Sequence, residues 1–160
     1  MATITSVLKA ATGSSARGRS PYMVENTIDL TAQAVSSTGG DVVQMITVPA
    51  NTKIIAAGFQ VVESATMNTG TNATAILGTA VDDNEYVAAF DIDGASDGAY
   101  APSVTVSGDI VITTADTLDL TFAGDGATYT AGKIRVYAVM MDVSEIGDTS
   151  ADEVDRDTLA

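Results

Sequence analysis

The feature of this sequence that most constrains its fold is a series of short apolar runs, rich in Val, Ile and Thr, that turn residues close at fairly regular spacing. Branched side chains fit a pleated sheet better than a helix, and runs of this kind are typical of a sandwich or a barrel. We therefore predict an all-β fold with about eight strands. The predicted strands are Thr27–Ala34, Val42–Val48, Ile54–Glu63, Ala73–Thr79, Tyr86–Asp91, Asp109–Thr113, Thr117–Phe122 and Lys133–Asp142.

Two of these runs alternate clearly between apolar and polar residues. In Leu118–Phe122 the apolar side chains are expected to point into the core, while Asp119 and Thr121 face water. Ile134–Val139 shows a second alternation. Eight such strands in two packed sheets fit an antiparallel β-sandwich of the jelly-roll type.

Charge is distributed unevenly along the 160 residues and predicts three parts. Residues 1–24 contain three basic residues and no acidic one, whereas residues 142–160 have a net charge of −6. The first segment is also too poor in large apolar residues to fold by itself. We predict an extended N-terminal arm at residues 1–26, a β-sandwich domain at 27–143 and an acidic C-terminal tail at 144–160. A terminus without a role, and a short helix within the tail, remain as alternatives.

Composition excludes several classes of function. The chain has no histidine and no cysteine, which excludes Ser-His-Asp and Cys-His catalysis, the usual zinc sites and thiol redox chemistry. A net charge of −14 argues against nucleic-acid binding. No stretch approaches the roughly 18 apolar residues that span a bilayer, and residues 1–20 contain no secretory segment. We expect a protein without a membrane or nucleic-acid partner, made in a cytoplasm without cleavage.

Three motifs could carry chemistry, and each has a simpler explanation. Gly94–Gly98 matches the G-x-S-x-G pattern of hydrolases, but the motif needs a histidine base that this chain lacks. The acidic runs Asp82–Glu85 and Asp91–Asp97 could bind calcium through oxygen ligands, although neither follows the EF-hand spacing. We interpret all three as turns and predict no catalytic residue, no cofactor and no metal site. A lectin-like module that binds sugar or calcium remains an alternative.

The arm contains the candidate partner-binding residues. Basic and aromatic residues suit interface anchoring, and methionine adapts to irregular pockets. We predict that Lys9, Arg17, Arg19, Tyr22 and Met23 bind a protein neighbour. For Tyr22 and Met23 the alternative is packing against their own domain.

Several stretches of the chain, covering roughly residues 42–142, are similar to small β-sandwich virion proteins of tailed bacteriophages, in particular capsid decoration (cement) proteins. The stretches that carry this resemblance are Val48–Glu63, Ala75–Thr79, Asp82–Phe90, Thr113–Phe122 and Ala131–Tyr137.

The resemblance implies a structural protein of the virion that is not an enzyme. It would bind the outside of an assembled head, with the major capsid protein and other copies of itself, as a homotrimer, as its partners. Its role would be to stabilise the shell. A tail or neck component of the virion is the alternative within this class, since such proteins are also small, acidic and rich in β-structure.

Overall fold

The structure, a computed structural model, describes residues 3–9, 21–32, 35–36, 38, 40–101, 111–125 and 128–143, with the backbone alone for 3–9. Within these ranges the chain is all-β and contains no helix, so none of the described segments forms a helix that could cross a membrane. The predicted all-β sandwich is confirmed. Its strands are β1 (Thr3–Lys9), β2 (Tyr22–Asp29), β3 (Val42–Val48), β4 (Thr52–Met67), β5 (Ala73–Gly78), β6 (Val87–Asp91), β7 (Val111–Ile112), β8 (Asp116–Gly124) and β9 (Tyr129–Asp142).

The strand order is that of a jelly roll. One sheet has the order β1-β3-β8-β5-β6 and the other β2-β9-β4-β7. Strands β2 to β9 pair as nested antiparallel couples, β2 with β9, β3 with β8, β4 with β7 and β5 with β6. A long hairpin rolled up on itself gives this nesting, which closes two sheets over one core. β1 lies outside the nest and pairs in parallel with the edge strand β3.

The core lies between the two sheets and is built from the inward residues of both. Leu118, Leu120 and Phe122 are buried as the alternation predicted, and Ile134 and Val136 are buried on the facing sheet. Aromatic pairs close the packing: the Phe59 and Phe90 rings lie 5.9 Å apart, and those of Phe122 and Tyr129 lie 5.8 Å apart, both edge to face. The sheets are joined at one edge, where the Asn26 side-chain amide donates to the Met45 carbonyl over 2.9 Å.

The second strand does not lie where the sequence predicted it. The predicted strand Thr27–Ala34 is replaced by Tyr22–Asp29, of which residues 22–26 had been assigned to the arm. Polar Asn26 concealed the pattern, because it lies on the inward side between the buried Val24 and Ile28. The strand ends at Asp29, whose carboxylate accepts hydrogen bonds from the Thr31 backbone NH (3.0 Å) and hydroxyl (2.6 Å) and so starts a turn.

Other strand bounds differ for reasons of pairing. β4 runs from Thr52 to Met67, longer than predicted, since register shifts let it follow β9 past positions that interrupt the alternation. β7 contains two residues, and the start of the predicted strand Asp109–Thr113 lies outside the described residues. The acidic tail, residues 144–160, also lies outside them.

Asp119 does not face water as predicted, but is 8% exposed. It lies beside Gly78 on the neighbouring strand β5. A Cβ atom at Gly78 would lie 2.0 Å from the Asp82 carbonyl oxygen, so the loop after β5 folds back over this part of the sheet. The alternation predicted the correct side of the sheet for Asp119, but it could not predict the loop that covers this side.

Candidate protein-binding face

The outward side of the β2-β9-β4 sheet, which we call the outer face, presents four rows of side chains across three strands. Residues on one side of a sheet alternate along each strand, and the register aligns them. From one end to the other the rows are Met23–Val139–Ala56, Glu25–Tyr137–Gly58, Thr27–Arg135–Gln60 and Asp29–Lys133–Glu63. The first row is apolar and the last is charged.

A β-bulge widens the apolar end of the outer face. The register between β4 and β9 shifts between Ile54 and Ala56, which leaves Ile55 as the extra residue. A bulge breaks the alternation locally, so Ile55 and Ala56 are both exposed, Ile55 by 43%. In the same row, on the far side of Val139, Met23 is 60% exposed. This end of the outer face thus presents three apolar side chains to solvent, those of Met23, Ile55 and Ala56.

Two tyrosines extend this apolar end. The rings of Tyr100 and Tyr137 lie 6.1 Å apart at 66°, an edge-to-face contact. Tyr137 lies over Gly58, where an added Cβ would be 2.6 Å from its hydroxyl oxygen. The backbone around Tyr100 is fixed along β4, since the Ala101 NH donates to the Phe59 carbonyl over 3.0 Å. Tyr100 itself is 59% exposed.

The opposite end of the outer face is an ordered charge network. The Lys133 ammonium lies 2.7 Å from a Glu63 carboxylate oxygen and 3.9 Å from one of Asp29. The hydrogen bond to Glu63, followed by its negative charge, raises the pKa of Lys133. Hydrogen bonds from Thr31 are the largest cause that lowers the pKa of Asp29. Next to them Arg135 donates to the Gln60 side chain.

The outer face differs from the other described surfaces in its balance of basic and acidic side chains. The basic side chains that the structure describes, Lys53, Lys133 and Arg135, all belong to β4 and β9 and face outward there. Glu25, Asp29 and Glu63 balance them on the same side. The remaining acidic side chains of the described part lie in loops, at strand ends or on the other sheet. The outer face is therefore close to neutral on a strongly acidic chain.

The predicted partner-binding residues lie in different environments. Met23 projects from the outer face, whereas Tyr22 packs partly against the core of its own domain. Burial, and then the negative charge of Asp142, raise the pKa of Tyr22. Lys9 ends β1, of which only the backbone is described. Arg17 and Arg19 lie outside the described residues.

Four residues at the apolar end were not predicted from the sequence: Ile55, Tyr100, Tyr137 and Val139. A signal existed for two of them. If Ile134, Val136 and Ala138 point inward, then Tyr137 and Val139 must point outward, which places apolar side chains on a face where polar ones are expected. Ile55 could not be found this way, because the bulge that exposes it is a feature of strand pairing.

The loop carboxylates that suggested a calcium site are used as hydrogen-bond acceptors. One Asp91 oxygen accepts from the Gly94 NH over 2.7 Å, and one Asp97 oxygen accepts from the Ser64 NH over 2.7 Å. Asp93 accepts from the Ala73 NH over 2.6 Å. In the described part of the chain no three acidic side chains come together as a set of metal ligands. The Gly94–Gly98 motif is a loop that precedes the segment along β4, as its interpretation as a turn requires.

Comparison with known proteins connects this fold to phage capsids. The sequence matches no protein-family profile and no curated protein. Among solved structures, a chain of the Ralstonia phage GP4 capsid matches with a TM-score of 0.61 and 15% identity, over 86% of this chain and 98% of that one. A chain of the cyanophage Pam1 capsid asymmetric unit matches with a TM-score of 0.59 and 18% identity, over 82% and 91%.

A third solved structure agrees with these two. A chain of the acidic stable capsid of Helicobacter pylori bacteriophage KHP30 has a TM-score of 0.52 and 11% identity, over 76% of this chain and 86% of that chain. In all three cases the covered share is larger in the matched chain, so the matched chains are somewhat shorter than this one. At these identities the likeness is one of fold: this chain shares its β-sandwich with chains found in phage capsids.

Proposed function

We propose that this chain is a structural virion protein that binds the outside of a tailed-phage head and stabilises the capsid, as a decoration or cement protein. The observation that carries the proposal is the match of 82–86% of this chain to nearly the full length of chains from two phage capsids, with TM-scores of 0.59 and 0.61. A small sandwich without histidine or cysteine suits a role that needs binding surfaces rather than catalytic groups.

The outer face supports this function as the surface that contacts the shell. Exposed apolar side chains that gather on one face mark protein interaction sites more often than scattered ones do. Met23, Ile55 and Tyr100 offer such a group, and the aromatic and methionine side chains are types enriched in interface cores. A near-neutral face also avoids burying unpaired charge, which is costly.

The arm provides the second contact in this proposal. Lys9, Arg17 and Arg19 carry the positive charge that an acidic groove on the major capsid protein would attract. Tyr22 and Met23 lie at the start of β2, where the arm meets the sheet, and Met23 reaches the outer face. Copies of the chain would also contact each other, as a homotrimer. Many copies on one particle turn a modest contact, of about 1,000 Å² each, into a stabilising cage.

The number of copies per particle tests the proposal. Particles of the virus that encodes the chain are purified, and the chain is counted against the major capsid protein by quantitative mass spectrometry. A decoration protein gives hundreds of copies per particle. Six or twelve copies would move the chain to the tail or neck, and absence from purified particles would overturn a virion role altogether.

A further inference from the structure

Among the strands that the structure describes, β1 pairs with β3 alone. Its register places Thr3 beside Val42 and Lys9 beside Thr47, parallel to β3. β3 would otherwise be the edge of its sheet, since its other neighbour is β8. An unpaired edge offers a row of backbone donors and acceptors to any extended segment that reaches it. β1 therefore fills an edge that is equally complementary to the same strand from another molecule.

The segment that joins β1 to β2 is longer than is needed to connect these two strands within one molecule. Lys9 lies beside Thr47, next to the end of β3, while Tyr22 pairs with Met140 near the start of β4. The end of β3 and the start of β4 are joined by only three residues, so both ends of the connection lie at the same end of the sandwich. Neighbouring strands are about 5 Å apart and facing sheets about 10 Å.

Residues 10–21 make up that connection, twelve in all. Twelve residues can span up to about 40 Å. This is enough to carry β1 across to the β3 edge of an adjacent molecule while Tyr22 stays in its own sheet. The connection permits β1 to pair either within its own chain or with a neighbour.

We propose that neighbouring copies exchange β1, so that Thr3–Lys9 of one copy pairs with β3 of the next. The backbone hydrogen bonds are the same in both arrangements, so the exchange is opposed mainly by the entropy of association. That cost falls where copies are held close together, because the effective concentration of the neighbour's edge rises. The proposal rests on the proposed function only for the place where copies gather.

A second copy is the occupant that the structure favours. The β3 edge already accepts this segment in a defined register, with one irregularity between Thr5 and Leu8. A copy that gives its β1 away leaves an open edge, which the β1 of a further copy fills. Donor and acceptor surfaces differ, so a head-to-tail series of copies forms a ring where the rotation between neighbours closes. A homotrimer is one such ring.

Cysteine cross-linking of the purified full-length protein tests the exchange. The natural chain has no cysteine, so introduced thiols are the only ones present. Thr5 and Gln44 are partners in the register, and the spacing of neighbouring strands lies within the Cα–Cα range of a disulfide. A Thr5→Cys variant and a Gln44→Cys variant are unfolded, mixed, refolded together at high concentration and oxidised.

Exchange predicts a disulfide between the two different variants, identified by mass spectrometry of the linked peptides. The double variant, treated alone, should then give covalent oligomers as well as cross-linked monomers. A double variant that links only within one chain, with no mixed disulfide from the two single variants, would overturn the proposal. A mixture of Thr5→Cys and Thr47→Cys is the matched control, because these positions are out of register and should not link. Since no particle is involved, the result does not depend on where the protein functions.

Discussion

At the scale of single residues, Asp119 carries an electrostatic cost that the fold tolerates. Burial, and then the nearby charge of Asp116, raise the pKa of Asp119, although the Thr117 hydroxyl donates a 2.6 Å hydrogen bond to it. A raised pKa in the folded state means that the full stability is present below the unfolded value, about 4. Stability is then lost as pH rises through the folded pKa.

We therefore expect Asp119→Asn to increase the free energy of unfolding at pH 7, because the amide keeps an acceptor for Thr117 without the buried charge. The gain should disappear below about pH 4, where the natural carboxyl is protonated in both states. Urea unfolding between pH 3.5 and 7.5 measures this.

Asp125→Asn is the control for Asp119→Asn and should act in the opposite direction. Asp125 accepts hydrogen bonds from the Asn72 backbone and side chain and from the Thr71 NH, and these lower its pKa. Its contribution to stability is present above the unfolded pKa and lost as pH falls through the folded one. The Asp125→Asn variant should therefore be less stable than the natural chain at pH 7. A loss of stability at pH 7 in Asp119→Asn would contradict the assignment of Asp119 as a buried, destabilising charge.

Gly132 is required by both backbone conformation and space. Its φ is +133°, and an added Cβ would lie 2.9 Å from Leu30 Cδ1 and 3.0 Å from the Ala65 Cα. We expect Gly132→Ala to lower the free energy of unfolding by about 1–3 kcal/mol. Gly98 also has a positive φ, +87°, but its nearest neighbour lies 4.0 Å away. Gly98→Ala should lower the free energy of unfolding by less than Gly132→Ala. Equal losses for the two variants would show that the crowding at Gly132 is relieved. Chemical denaturation of both variants decides this.

At the scale of elements, the sequence predicts a strand well where the strand has one solvent-exposed side and one buried side. The alternation in Leu118–Phe122 and Ile134–Val139 gave the correct inward side for both strands. β2 was misplaced because Asn26 faces the other sheet and gives its amide to Met45, so a polar residue occupies a core-side position. β1 could not be predicted, since the strand it pairs with among the described residues is a parallel one more than thirty residues away in sequence.

The true start of β2 changes how the arm must be removed. Deletion of residues 2–20 leaves β2 intact, whereas deletion of 2–24 removes Tyr22, Met23 and the buried Val24. Burial of a valine side chain contributes roughly 1.5–3 kcal/mol, and three residues of pairing with β9 are lost as well. We expect the longer deletion to be at least about 2 kcal/mol less stable than the shorter one.

Urea unfolding of the two truncated proteins measures that difference. Equal stabilities would show that Tyr22–Val24 belong to the arm rather than to the sandwich. The shorter deletion is consequently the variant with which the arm should be tested on particles, since a loss of binding by the longer one would be confounded by damage to the sheet.

At the scale of the whole molecule, charge and apolar surface are distributed unequally between the two sides of the sandwich. The five-stranded sheet and the loops carry most of the acidic side chains of the described part, and the outer face of the other sheet is neutral with an apolar end. Copies crowded on one surface repel through their acidic sides. Contact through the neutral face turns those sides toward solvent, where salt screens them.

This orientation predicts the effect of charged substitutions. Met23→Glu combined with Ile55→Glu should weaken binding to heads that lack the chain by tenfold or more, because two apolar anchors would be replaced by charges that the contact must desolvate. Met23 is mostly exposed and Ile55 is 43% exposed, so the loss of folding stability should be small beside the loss of binding. Sedimentation of the protein with the heads measures binding, and chemical denaturation measures stability.

Ala88→Glu is the matched control for the outer-face variant, because Ala88 is exposed on β6, an edge strand of the other sheet. It should leave binding unchanged.

The dependence of binding on ionic strength distinguishes the two proposed contacts. Binding through the apolar outer face should become stronger between about 10 and 150 mM salt, because the Debye length falls from about 30 to 8 Å and the repulsion between copies is screened. Attraction by the basic arm should weaken over the same range. A chain without residues 2–20 isolates the first effect, and its binding should rise with salt if the outer face is what rests on the shell.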